Sequence, residues 1–201
     1  MENYKLFFGG TASVVSIIGY IPYLRDIFRK KTKPHVFSWL VWSFSGAIVF
    51  CAQIVKGAGS GAWVMGVGVT ISILITVLAA FQGEKKITFS DWLAFGGAVL
   101  GIIAWALTDN PLYAVILVTI TDALAFIPTF RKAYHKPYEE TLFMWSVSSL
   151  KFIIVLFAIN TYNATTLMYP IYLIVSNGTF AIMLSERRRI LNKKNAYVQS
   201  F

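Results

Sequence analysis

Asp122 and Lys151 are the two residues whose chemistry conflicts most with their surroundings. Asp122 interrupts an apolar stretch between Val115-Ile116-Leu117-Val118 and Ala125-Phe126-Ile127, and Lys151 directly precedes Phe152-Ile153-Ile154-Val155. If those stretches cross a bilayer, a charge near its centre costs at least roughly 2.5–3.5 kcal/mol, so each group must face a partner or a wet cavity. Estimated spans of 112–134 and 140–160 put both charges near mid-depth on consecutive antiparallel helices, where an ion pair is expected. Such a pair could bind a polar solute, or it could be a structural lock between two helices. Asp122 could also carry a coupling proton, although a neighbouring ammonium favours its charged form. Asn177 adds a polar amide in a later apolar run.

The elements that must hold these groups are membrane helices. Of the 201 residues, 57% are apolar and 16% aromatic, while only 13% are charged, about half the charged share usual in a soluble domain. A helix crosses the hydrocarbon in roughly 20 residues. Uncharged or nearly uncharged runs of that size predict helices near 6–28, 35–55, 61–82, 89–107, 112–134, 140–160 and 164–185. The first is expected to be retained rather than cleaved, because its polar head is not strongly basic and no small-residue cleavage site follows. Thr108-Asp109-Asn110-Pro111 and Gly57-Ala58-Gly59-Ser60-Gly61 read as turns.

The net charge of +9 is unevenly distributed. With seven spans, fifteen of the eighteen Lys and Arg residues fall on one side, in alternate loops and the C-terminal tail. Basic loops stay cytoplasmic, which predicts an outward N-terminus, a cytoplasmic C-terminus and residence in a plasma or bacterial inner membrane. Membrane lipid therefore accounts for the charge, and no nucleic-acid partner is expected. The lone Cys51 and the separated His35 and His135 give no metal pattern; no cofactor is expected. No nucleophile–base arrangement or nucleotide-binding glycine motif is evident, so an enzyme is not expected.

Sliding the chain by 106 residues aligns Ile21 with Ile127, Pro22 with Pro128, Arg25 with Arg131, Phe37 with Phe143, Trp39 with Trp145 and Ser43 with Ser149, without a gap. Two repeats are thus expected, at 1–83 and 112–185, with a linker helix in 84–111 and a basic tail at 186–201. One intervening helix gives the second unit the same orientation as the first, so the repeats are parallel. The same offset sends Asp122 to Ser16 and Lys151 to Ser45.

On Tyr20-Ile21-Pro22-Tyr23-Leu24-Arg25 and Phe126-Ile127-Pro128-Thr129-Phe130-Arg131, each followed by a basic loop and another helix, the chain resembles the PQ-loop and SWEET superfamily. It departs from the usual Pro-Gln pair, with Pro-Tyr and Pro-Thr in its place. The resemblance implies an all-α membrane fold of seven helices, two parallel three-helix bundles joined by a linker helix. It also implies that Pro22 and Pro128 act as hinges, and that Asn177 lies near a substrate-contacting position. The superfamily's range, from sugar and vitamin-precursor carriers to amino-acid exporters and a sorting receptor, leaves the solute open.

Taken together, the residues predict a transporter or facilitator of a small polar solute, with a seven-helix receptor or sorting protein as the alternative. The expected substrate or coupling site comprises Asp122, Lys151, Asn177, Ser16 and Ser45. The expected hinge and gate comprise Pro22, Pro128, Arg25, Arg131, Trp39 and Trp145. For Arg25 and Arg131, reaching to lipid phosphates competes with a gate role; for Trp39 and Trp145, an interfacial belt does. His35 is expected at the interface and His135 in a loop.

Overall fold

The computed structural model describes residues 3–199, and they are almost entirely helical. Seven α-helices follow one another: α1 Asn3–Phe28, α2 Val36–Val55, α3 Trp63–Gln82, α4 Phe89–Thr108, α5 Pro111–His135, α6 Leu142–Ala158 and α7 Ala164–Gln199. Short 3-10 turns at Gly59–Ala62 and Pro137–Glu139 precede α3 and α6.

Local chemistry sets the helix limits. Asn110 caps α5 by accepting a hydrogen bond from the Leu112 amide at 3.1 Å, and Pro111 occupies the first turn, where its missing N–H costs nothing. Gly57 and Gly59 turn the chain between α2 and α3 with φ of 74° and 59°, a region that a side chain disfavours. His35, expected at an interface, is instead a buried cap of α2: its Nδ1 accepts from the Ser38 amide, and its Nε2 meets the Lys86 carbonyl at 3.2 Å. His135, expected in a loop, is the last residue of α5.

Two elements differ from their sequence expectation. α6 has 17 residues, about 26 Å of helix, because Glu140 and Thr141 stay extended before it and Ile159 is extended after it. α7 does not end at 185. It runs to Gln199, since neither Gly nor Pro follows Gly178 and Glu186 pairs with Arg189 one turn on at 3.5 Å. Residues 186–199 therefore extend the last helix rather than forming a separate tail.

Among the described residues, five helical stretches are long and apolar enough to cross a bilayer: Asn3–Phe28, Val36–Val55, Gly59–Gln82, Pro111–His135 and Ala164–Lys193. The outward faces of these stretches, and that of α4, carry large apolar side chains in the open. Phe81 is 79% exposed and Leu107 on α4 81%, which in water would be an aggregation surface and in lipid is the ordinary exterior. The chain is an all-helical integral membrane protein.

The main helix contacts have an exchange pattern. α1 packs on α3 and α6, α2 on α3 and α5, α5 on α7, and α6 on α7. Exchanging α1 with α5, α2 with α6 and α3 with α7 turns this set of pairs into itself. α4 falls outside the exchange and lies mainly on α5.

Candidate functional site

Within the bundle, two apolar clusters lie on either side of a central cavity. One contains Ala12, Val49, Val64, Val115, Phe152 and Tyr169; the other contains Tyr20, Tyr23, Trp39, Phe126, Trp145 and Phe180. Between them is a cavity of about 80 Å³, whose wall includes Asp122, Lys151, Asn177, Ser72, Tyr20, Trp42 and Tyr169. Its polar groups come from α3, α5, α6 and α7, with tyrosine and tryptophan from α1 and α2.

Asp122 and Lys151 both face this cavity and both are buried, yet they do not form the ion pair expected from their depth. Among the described residues, no carboxylate lies within ion-pair distance of Lys151. The Lys151 ammonium donates to Ser16 Oγ at 3.0 Å and lies 4.6 Å from the Tyr20 ring centre and 5.0 Å from that of Phe152. Asp122 accepts from the Tyr169 hydroxyl at 2.7 Å and from the Tyr172 hydroxyl at 2.8 Å. Neutral donors and acceptors on α7 and α1 thus hold the two charges apart. The direct-pair expectation failed because depth along two helices says nothing about azimuth or about third helices.

The other expected site residues divide. Asn177 lines the cavity and donates Nδ2 to the Leu173 carbonyl at 2.7 Å, one turn back. Ser16 is the partner of Lys151. Ser45 is buried with its hydroxyl unpartnered and is not part of the cavity wall. On α3 and α7, Val64, Gly68 and Ser72 stand 105 residues before Tyr169, Leu173 and Asn177, and all six line the cavity. Ser72 and Asn177 thus face the same cavity from α3 and α7.

Trp39 and Trp145 are each only 3% exposed, which overturns the interfacial-belt reading. Their ring centres are 6.5 Å apart, and both pack on Trp42, at 5.3 and 5.9 Å, inside one aromatic cluster. That cluster forms one wall of the cavity. Trp42 also carries an indole N–H that is buried without a partner, a donor left unused in the wall.

Beyond this wall, at the end bearing the basic loops, the structure has a latch that sequence reasoning missed. Lys132 forms a buried ion pair with Glu140 and also donates to the Lys33 carbonyl. The second Glu140 oxygen accepts from Trp145 Nε1 at 3.2 Å, while Thr141 donates to Asp26 at 3.0 Å. These bonds tie the α1–α2 loop to the α5–α6 loop. Arg25 and Arg131, expected at this gate, are both exposed. The Arg25 side chain bonds its neighbour Asp26, and Arg131 lines a separate surface recess of about 330 Å³ with His35, Lys86 and Pro128. α1 and α5 run through Pro22 and Pro128 as continuous helices. At the opposite end, Lys5 donates to the Asn160 carbonyl at 3.0 Å, and Ser60 bonds the carbonyls of Lys5 and Ala158 at 2.9 and 3.1 Å.

The tyrosines on Asp122 carried no sequence signal that separates them from ordinary apolar packing. Glu140 did carry one, since Glu139-Glu140 is an acidic pair inside an otherwise basic loop. Comparison with family models, with curated proteins and with solved structures finds no match.

Proposed function

We propose that this protein is an alternating-access transporter or facilitator of a small polar solute, made of two parallel three-helix units, α1–α3 and α5–α7, with α4 as linker. The observation that carries the reading is the pair of buried, opposite, mutually unpaired charges facing one cavity at the meeting of the two units. A scaffold that needed only stability would do as well or better with apolar side chains there. The exchange pattern of helix contacts and the matched cavity positions on α3 and α7 support the two-unit description.

Lys151 gives the cavity a route to the rest of the molecule. It belongs to α6, but its hydrogen bond goes to Ser16 on α1, across the seam between the units. A solute group that draws the ammonium away from Ser16 loosens that seam, while the bonds at the two ends hold the cavity closed until one set breaks. Pro22 and Pro128, each lacking a donor within its helix, are the bending points in this reading. The basic end faces the cytoplasm, and the N-terminus faces outward.

Solute-dependent flux into proteoliposomes tests the proposal. Uptake that saturates, and that falls in Lys151→Met when normalised to folded protein, is the expected result; no flux for any small polar solute would reject it. In the receptor alternative the basic end of α7 would serve a partner. Two of its arginines are already engaged within the chain: Arg187 donates to the Tyr134 carbonyl and Arg188 to that of Pro137.

A further inference from the structure

We infer that the solute of this cavity is a small zwitterion, with its carboxylate at Lys151 and its cationic nitrogen at Asp122. The inference builds on the reading of the cavity as a solute site. It rests on the fact that two opposite charges line one small cavity without pairing. Lys151 has three N–H donors, of which one is spent on Ser16, and the flanking Tyr20 and Phe152 rings accept no full hydrogen bond. Asp122 has one phenol on each oxygen, which leaves a lone pair on each. Trp42 Nε1 is a further unused donor in the same wall.

Each simpler solute class leaves one of these groups facing the wrong charge or none. A monocarboxylate satisfies Lys151 but brings a second anion to Asp122. A simple ammonium satisfies Asp122 but meets the Lys151 cation. A neutral polyol must displace cavity water while offering neither charge a counterion, in a surrounding where desolvation makes that costly. A solute with both charges answers both, and its dipole is aligned by the site in one orientation only.

Size narrows the class further. The cavity is about 80 Å³, roughly half of the ~150 Å³ apolar cavity that holds a benzene molecule. The volume favours the small end of the class, with one or two carbons between the charges as in glycine or β-alanine, over a solute as large as a hexose. The carboxylate contact also reaches the seam: the free N–H groups of Lys151 stand beside its bond to Ser16, which joins α6 to α1.

The test compares four probes of similar bulk by ligand-induced thermal stabilisation of purified protein, with uptake measured in parallel: β-alanine, propionate, propylamine and 1,3-propanediol. The expected result is tightest binding of β-alanine, weaker than that by at least about tenfold for the other three. Asp122→Asn should then bind β-alanine and propionate alike, whereas Lys151→Met should bind β-alanine and propylamine alike. Opposite changes of selectivity in the two variants are not expected of charges that serve only the fold. The inference is overturned if β-alanine fails to bind wild-type protein, if the diol binds as well as β-alanine, or if the two variants lose all probes equally. Zwitterion binding without flux would reject transport and leave this inference standing. Saturable flux of a neutral or singly charged solute, unaffected by β-alanine, would reject this inference and leave transport standing.

Discussion

Glu140 and Trp145 are joined by a hydrogen bond of 3.2 Å that connects the buried ion pair at the basic end to the aromatic wall of the cavity. One carboxylate thereby holds Lys132 with one oxygen and the indole with the other. Trp145 in the cavity wall and Lys132 at the basic end therefore share one carboxylate.

Glu140→Gln is therefore expected to weaken the protein and open its basic end. Removing one member of a buried pair strands the other, at a cost of about 3–5 kcal/mol. Lys132→Met added to Glu140→Gln should restore part of that loss, because no bare ammonium remains. Reversible unfolding measures the stability, and thiol labelling of a cysteine at Ser148 measures access. Equal stability of the single and double variants would contradict the latch.

Asp122 should be coupled to Tyr169 more strongly than to Lys151. The phenol bond at 2.7 Å is a hydrogen bond to a charged group, worth about 1.5–3 kcal/mol. A double-mutant cycle with Asp122→Asn and Tyr169→Phe is expected to return at least about 1 kcal/mol of interaction. The cycle with Asp122→Asn and Lys151→Met should return less. The reverse order would restore the direct ion pair that the structure lacks.

Two glycines on α1 should respond in opposite directions to the same change. A Cβ at Gly19 would stand 2.8 Å from Val147 Cγ1 on α6, whereas one at Gly10 meets nothing within 4 Å. Gly10→Ala is expected to stabilise by up to about 1 kcal/mol through helix propensity. Gly19→Ala is expected to destabilise by about 1–3 kcal/mol through overpacking at the α1–α6 seam. Thermal unfolding of the two variants side by side is the measurement.

Orientation is testable with single cysteines at Lys56 and Lys193, both exposed, in a background of Cys51→Ala. Labelling by a membrane-impermeant thiol reagent should occur from outside at Lys56 and only after lysis at Lys193. Gly59 is a poorer labelling position, because its φ of 59° disfavours any side chain. Labelling of both cysteines from the same side would reject the proposed odd number of crossings.

The helices were legible because their cause is local. Length, absence of charge and a few turn residues such as Asn110-Pro111 and Gly57 to Gly61 decide where a membrane chain can start and stop a helix, and the predicted limits differ from α1–α5 by only a few residues. α6 and α7 departed where a longer-range or weaker signal acted. Glu140 is pulled from α6 by Lys132 on another helix, and the polar end of α7 had no breaker to stop it.

The sequence by itself also singled out Asp122, Lys151 and Asn177, since an ionisable or amide group inside an apolar run is conspicuous wherever it points. Their partners were not legible. Whether Lys151 reaches Asp122 or Ser16 depends on the rotation of α6 and on which helix fills the space beside it, and these are properties of the packed bundle. The same holds for Trp39 and Trp145: an aromatic near a helix end has the same sequence signature at a lipid interface and in a buried cluster. Tertiary packing put them in the cavity wall, where the rings of Trp39 and Trp42 on α2, Phe126 on α5 and Trp145 on α6 meet. Polarity along one chain determines what must be buried in the membrane, while contacts between helices determine what each buried group meets.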